Sequence, residues 1–335
     1  MPILNLGADM RRREFLGAVA GVGLTWPRIT WAQQNVKPKR IATLNSGTPS
    51  GTRDRDMCFE DGLRQLGWIE GKNIVIERRW ADGNTARLPE LAAEVFQLSP
   101  DLIVTSGTPA AQAMQRASKN IPVVFSMVSD PVASGVVTNL ARPEANITGV
   151  SNFFPTMIGK LLELIEITSD AKRIAVIHDP NNSGKQLDIR LLREAAEALG
   201  VTINPLGVTN AHDIETAFKT LSATKPGALI VLVDGVTLSN SREIVLLAAE
   251  QRLPAIYQER TFVERGGLMS YALNYCQHLA RAANYVDKIL KGEKPSNLPI
   301  EQPSTFQFVV NLKAAKMLGV TLPPKILAFA DEVIE

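Results

Sequence analysis

Two kinds of segment alternate along most of this chain. Apolar runs at 41–44, 102–104, 122–125, 173–177, 201–206, 228–233, 255–257 and 267–271 read as strands, as does the alternating stretch 74–80. Segments 54–66, 89–98, 110–117, 186–199, 213–223, 241–251 and 279–290 read as helices. Their apolar residues recur at helical spacing, as in Leu91, Val95 and Leu98, or Ala282, Ala283, Val286 and Leu290. Gly67 and Gly200 end two of these helices, and Pro109 stands in the first turn of another. Short apolar strands alternating with amphipathic helices predict parallel sheets covered on both faces. The rhythm restarts at residue 173, which predicts two successive α/β lobes. Linkers are expected at 141–155 and 292–305, where prolines and polar residues gather.

In parallel sheets the loops at the carboxyl ends of strands form the ligand sites. Here those loops carry Ser46-Gly47-Thr48, Ser106-Gly107-Thr108, Ser126 to Asp130, Asn181-Asn182-Ser183 and Asp234. Ser106-Gly107-Thr108 precedes a helix N-terminus. Exposed N–H groups and the positive dipole end there suit a carboxylate or phosphate, although the same residues serve equally as N-caps. Ser46 to Thr48 and Ser126 with Ser129 carry the same two readings. Asp130 and Asp234, one in each lobe, could meet a ligand ammonium or cap a helix. Asn181 and Asn182 either line a cleft or form an Asx turn. Tyr257, Tyr271 and Tyr275 could stack on an aromatic ligand or pack in the core.

Charge and composition narrow the function. The chain has 335 residues, 45% hydrophobic and 21% charged, enough for two ordinary domains. Its net charge of +2 belongs to residues 1–32: without their four arginines and two acids, 32 basic and 32 acidic residues remain. That balance leaves no basic surface for nucleic acid. Arg11, Arg12 and Arg13 precede Glu14-Phe15-Leu16 and a short, weakly apolar stretch ending near Ala32. This is the pattern of an export signal of the twin-arginine kind, read from a start at Met10 and cleaved at about residue 32. The mature protein is therefore expected in the periplasm. No later segment is apolar enough to span a bilayer. Cys58 and Cys276 form no CxxC pair or metal site; two buried free thiols are expected, with a long-range disulfide as the alternative.

Catalytic templates fail. Gly184-Lys185 lacks the upstream glycine of a phosphate-binding loop, the Gly21 and Gly23 pair lies in the signal, and no GxSxG elbow occurs. Three scattered histidines leave few parts for triad or metal chemistry, so no cofactor, metal or enzymatic activity is expected.

Several segments together resemble a known family. They include Leu66-Gly67-Trp68-Ile69-Glu70-Gly71-Lys72-Asn73-Ile74, Arg79-Trp80-Ala81-Asp82-Gly83, Asp130-Pro131-Val132, Asn146-Ile147-Thr148-Gly149-Val150, Phe262-Val263-Glu264-Arg265-Gly266-Gly267-Leu268-Met269-Ser270-Tyr271 and the closing Ala330-Asp331-Glu332-Val333-Ile334-Glu335. Across residues 38–335 the chain resembles ABC-transporter substrate-binding proteins of the tryptophan/tyrosine type, which have the type I periplasmic binding fold. The resemblance implies two lobes, a hinge of about three crossing strands, and closure around a small ligand for delivery to a membrane permease. It implies lobe I at 38–152 plus 275–298, and lobe II at 153–274 plus 303–335. It also implies that Ser46, Thr48, Ser106, Gly107, Thr108, Ser126, Ser129 and Asp130 face the cleft from lobe I. From lobe II come Asn181, Asn182, Asp234 and Tyr257, with Tyr271 near a crossover. By analogy with amino-acid-binding relatives, the Ser106–Thr108 loop would take a ligand carboxylate, and Asp234 or Asp130 an ammonium. Val128 and Val236 stand where polar residues would strengthen an amino-acid assignment, so an aromatic acid without an amine stays open. The expectation is a monomeric, non-enzymatic receptor. Its rivals are a sensor that signals to a membrane receptor and an exported α/β enzyme.

Overall fold

The computed structural model describes residues 37–335 except 144, 145, 154 and 170, and the export signal expected at 1–32 lies outside the described residues. The first sheet is built from β1 (Lys39–Asn45), β2 (Ile74–Trp80), β3 (Leu102–Ser106), β4 (Val123–Val128) and β5 (Ile147–Ser151), in the order β2-β1-β3-β4-β5, all parallel. Its helices are α1 (Pro49–Gln65), α2 (Leu88–Gln97) and α3 (Thr108–Ala117). Alternation of side chains along the strands divides the core. Ala42, Leu44, Ile103 and Phe125 face α2 and α3. Ile41, Val104 and Val124 face the opposite way, onto Leu63 of α1 and onto α10 (Tyr275–Leu290).

The second sheet holds β6 (Arg173–His178), β7 (Thr202–Gly207), β8 (Ala228–Val231), β9 (Ala255–Tyr257), β10 (Met269–Leu273), β11 (Phe306–Asn311) and β12 (Glu332–Ile334), in the order β12-β11-β10-β9-β8-β6-β7. It is parallel except where β10 meets β11. β7 lies at an edge, which is why Pro205 is tolerated in it. One face packs on α4 (Pro155–Ser169) and α5 (Ser183–Leu199), the other on α6 (Ala211–Thr224) and α8 (Ser241–Glu250). Two short helices, α7 (Gly235–Ser239) and α9 (Arg260–Glu264), follow β8 and β9, and the tail adds α11 (Leu312–Leu318) and α12 (Pro324–Phe329).

The chain passes between the sheets after β5, after β10 and before β11. The expected linker 141–155 is corrected in part: it contains β5, whose five residues are all buried beside β4. The cysteine expectation is corrected too. Cys58 of α1 and Cys276 of α10 are disulfide-bonded, with their Cα atoms 5.0 Å apart. The two helices lie side by side, close enough that a Cβ on Gly62 would sit 3.0 Å from that of Ala283. The sequence separation of 218 conceals this proximity.

Among the described residues no helix is long and apolar enough to cross a membrane. Nor does any group of three His, Cys, Asp or Glu there suit a metal ion.

Candidate ligand-binding cleft

The two sheets turn their carboxyl-end loops toward each other. A cavity of about 750 Å³, part of it continuous with solvent, lies between them. From the first lobe it is lined by Asn45, Ser46 and Gly47 after β1, Ser106 and Gly107 after β3, and Met127 and Ser129 after β4. Thr52 and Arg55 reach in from α1. Gly107 adopts φ +95°, and a Cβ there would stand 3.1 Å from Ser46 Oγ, so glycine allows β1 and β3 to end side by side.

The second lobe contributes Asp179, Asn182, Lys185, Val233, Asp234, Gln258 and Glu259. Asn152 and Leu273, at two of the crossings, complete the wall. Apolar surface comes from Pro109, Met127, Met157, Val233, Leu238 and Leu273.

The lobes meet around this space. The Thr48 N–H donates to Ser239 Oγ at 3.2 Å, Gln112 Nε2 to Ser183 Oγ at 3.0 Å, and Arg55 ion-pairs with Glu259. At Gly235 a Cβ would come within 2.5 Å of the Ser46 carbonyl oxygen. At Gly184 it would come within 2.7 Å of Ser129 Cβ. Two glycines thus permit an approach that side chains would block.

Charge is concentrated on the second lobe. Lys185 is buried and donates to Asp188 at 2.6 Å and to Gln258 Oε1 at 3.0 Å. Asp234 caps α7: its Oδ1 accepts the Thr237 N–H at 2.9 Å, while Oδ2 accepts the Asp179 N–H at 2.8 Å. Asp179 is buried, and its Oδ1 accepts the Asn181 N–H at 2.8 Å. Burial, reinforced by the Asp234 charge, pushes the Asp179 carboxyl up to about 7. Burial also raises Asp234. The lysine and the arginine are each ion-paired with an acid, and Lys185 also acts on Asp234, whereas Asp179 lies beside the Asp234 charge with no ion pair of its own among the described residues. Two further groups are unmatched: Arg55 Nε and Asn152 Oδ1 are buried with no hydrogen-bond partner.

Of the residues singled out from sequence, Ser46, Ser106, Gly107, Ser129, Asn182 and Asp234 line this cavity. The others do not. Thr48 caps α1 by accepting the Gly51 N–H and borders a separate groove, as does Asn181. Thr108 Oγ1 accepts the Ser129 N–H, and Ser126 Oγ donates to the Thr105 carbonyl. Asp130 accepts from Val132 and Ala133 N–H and so fixes a turn; among the described residues no helix starts there for it to cap, as the sequence alternative had it. Tyr257 is stacked on Phe262 and Tyr271 on Phe306, which takes both rings away from the cavity. Asn45, Arg55, Asn152, Asp179, Lys185, Gln258 and Glu259 went unnoticed. Asp179 could have been found, since it sits in the same strand-ending cluster as Asn181 and Asn182.

Comparison with known proteins follows the same lines. Residues 50–334 match a family model described as ABC transporter substrate binding protein. A tyrosine-binding protein of Clostridioides difficile (strain R20291) is 26% identical over 263 residues, 78% of this chain and 75% of its own length. A conserved domain protein from Vibrio cholerae superposes with a TM-score of 0.83 at 29% identity, over 89% of this chain and 100% of that one. A Streptococcus pneumonia ABC domain in complex with L-Trp gives 0.81 at 26% identity, with the same coverage. The ligand-free, open structure of a Clostridium difficile substrate-binding protein with adhesive properties gives 0.62 at 28%, over 88% of this chain and 99% of that one. At nearly equal identity this chain lies nearer the tryptophan-bound neighbour, in keeping with the contacts between its lobes. Two α/β lobes shut on a polar cleft, and a match running from α1 to the last strand, lead to one conclusion: the chain belongs to the ABC transporter substrate-binding protein family and has the type I periplasmic binding protein fold.

Proposed function

We propose that this chain is the extracytoplasmic solute receptor of an ABC importer and that its ligand is a small amino carboxylate with an apolar or aromatic body. The observation that carries the reading is the uncompensated acid in the cavity. Lys185 is neutralised by Asp188 and Arg55 by Glu259, which leaves Asp179 beside Asp234. A buried carboxylate without a counter-charge is unfavourable, and a ligand ammonium supplies that charge. This favours an amino acid over an aryl acid lacking an amine. The hydroxyls of Ser46, Ser106 and Ser129 offer hydrogen bonds to the polar end, and Met127, Met157, Leu238 and Leu273 offer apolar surface to the rest. The tyrosine-binding relative and the tryptophan-bound neighbour agree with this class. The Cys58–Cys276 disulfide suits an oxidising compartment outside the cytoplasm.

Closure must be favoured by contacts the ligand makes only in the closed state. With residues from both lobes and two crossings around one cavity, the closed form alone completes them. The test is calorimetry at pH 8 on protein stripped by unfolding and refolding with its disulfide intact. L-Tyrosine and L-tryptophan are expected to bind at least tenfold tighter than 3-(4-hydroxyphenyl)propionate and benzoate. Equal or tighter binding of the amine-free acids would refute the assignment.

A further inference from the structure

We infer that Arg55 receives the ligand carboxylate and makes its recognition depend on lobe closure, an inference that rests on the amino-carboxylate reading above. Arg55 belongs to α1 of the first lobe, and its Nη2 ion-pairs with Glu259, a buried residue of the second. Its guanidinium carbon lies over the Tyr275 ring, 5.8 Å from the centroid. The head group is therefore held by an acid and by an aromatic ring. The Nε–H is buried, belongs to a cavity-lining residue, and has no acceptor.

A buried charged donor without an acceptor is disfavoured, and an arginine's planar donors suit a carboxylate better than a point charge does. The other cation of the cavity, Lys185, already donates to Asp188 and Gln258. At the first crossing, Asn152 Oδ1 is likewise buried with no donor. The cavity thus presents an unmatched donor and an unmatched acceptor, the complement of a group carrying a carboxylate and an ammonium. Because Glu259 orients Arg55 only when the lobes meet, the carboxylate contact forms fully in the closed state. That is the differential affinity a closing receptor needs.

The experiment compares L-tyrosine with tyramine, and L-tryptophan with tryptamine, by calorimetry on the stripped full chain. Wild type should prefer each amino acid over its decarboxylated amine by at least tenfold. Arg55→Lys keeps a cation for Glu259 but removes the Nε donor. It should weaken the amino acids about tenfold or more and the amines less than twofold. Glu259→Gln keeps the donor but loses its orientation and loosens the closure, so it should weaken both ligand types and the amino acids more than the amines. Equal losses for both ligand types in Arg55→Lys would reduce Arg55 to a latch and overturn the inference. A wild-type ratio near one would overturn it without any variant, whatever the folding of Arg55→Lys. If wild type binds none of the four probes, the amino-carboxylate reading itself fails and this inference falls with it.

Discussion

The two walls of the cleft are made of different chemistry. The first lobe presents small neutral groups, Asn45, Ser46, Gly47, Ser106, Gly107 and Ser129, with Arg55 as its charged exception among the lining residues. The second lobe presents Asp179, Lys185, Asp234 and Glu259, and three of these are at most 5% exposed. Neutral hydroxyls and amides lose little when they stand open to water, so the first wall can receive a ligand before closure. Buried charges strengthen as water is excluded. The second wall therefore gains its strength, and its ability to select by charge, when the lobes shut. The contrast implies that the second lobe responds to charge and pH, and the first to small polar deletions and to bulk.

Replacing Asp179 should have the largest effect. Asp179→Asn removes the proposed ammonium partner, and affinity for L-tyrosine or L-tryptophan at pH 8 should drop about a hundredfold, the scale of one charge-assisted bond of roughly 3 kcal/mol. The same change should raise the melting temperature of the empty protein at pH 8, because it removes a buried charge set against Asp234. A lower melting temperature with unchanged affinity would erase the contrast between the walls.

Bulk at the meeting point comes next. Gly235→Ala places a methyl 2.5 Å from the Ser46 carbonyl oxygen in the closed form while leaving each lobe's own packing alone. Affinity should fall more than tenfold, and small-angle scattering with saturating ligand should show a larger radius than wild type. A wild-type radius and affinity would mean that the lobes do not need this approach.

Acid should act through the second lobe. The Asp179 carboxyl titrates at about 7 in the empty cleft, and a bound ammonium would lower that value. Affinity for an amine ligand should therefore rise with pH up to about 7 and weaken about tenfold by pH 6, measured by calorimetry across that range. The stability of the empty protein has the opposite slope. The folded state holds a proton on Asp179 that the unfolded state has lost above about pH 4, so stability falls as pH rises from about 4 to 7. An affinity that is flat between pH 6 and 8 would argue against Asp179 as the ammonium partner.

The smallest effect belongs to the neutral wall. Ser106→Ala deletes one hydroxyl at the cavity and should weaken binding about threefold, the worth of a single neutral hydrogen bond. A hundredfold loss there would reverse the order of the two walls.

Much of the frame was readable from residues alone, and for local reasons. Strand β2 at 74–80 and strand β9 at 255–257 fall where the hydrophobic pattern put them. Pro49 and Thr48 start α1 several residues before the expected 54, because Thr48 caps the helix and proline fits its first turn. β5 falls inside the expected linker because Pro143, Asn146 and Pro155 read as loop residues, while its pairing with β4 is long-range. That expected linker reaches residue 155, the first residue of α4.

The site divides along the same boundary. Ser46, Ser106, Gly107 and Ser129 were legible because loops after parallel strands are placed by the strands themselves, and the strands are written in the apolar rhythm. Asp234 was legible as a cap or as a ligand, and only the hydrogen bonds from Thr237 and Asp179 show its oxygens already engaged in the closed structure. Arg55, Glu259 and Asn152 were not legible: in sequence they are polar residues of a helix, of a turn and of a crossing. Cys58 and Cys276 likewise became neighbours only when α10 came back to pack beside α1. The sequence by itself determined the α/β rhythm, the two lobes and the small polar loops, because those follow from local periodicity and turn chemistry. The tertiary structure alone decided which charges meet in the cleft. Burial and the distance between charges arise from the contact of distant segments, and these two quantities set the chemistry of the ligand.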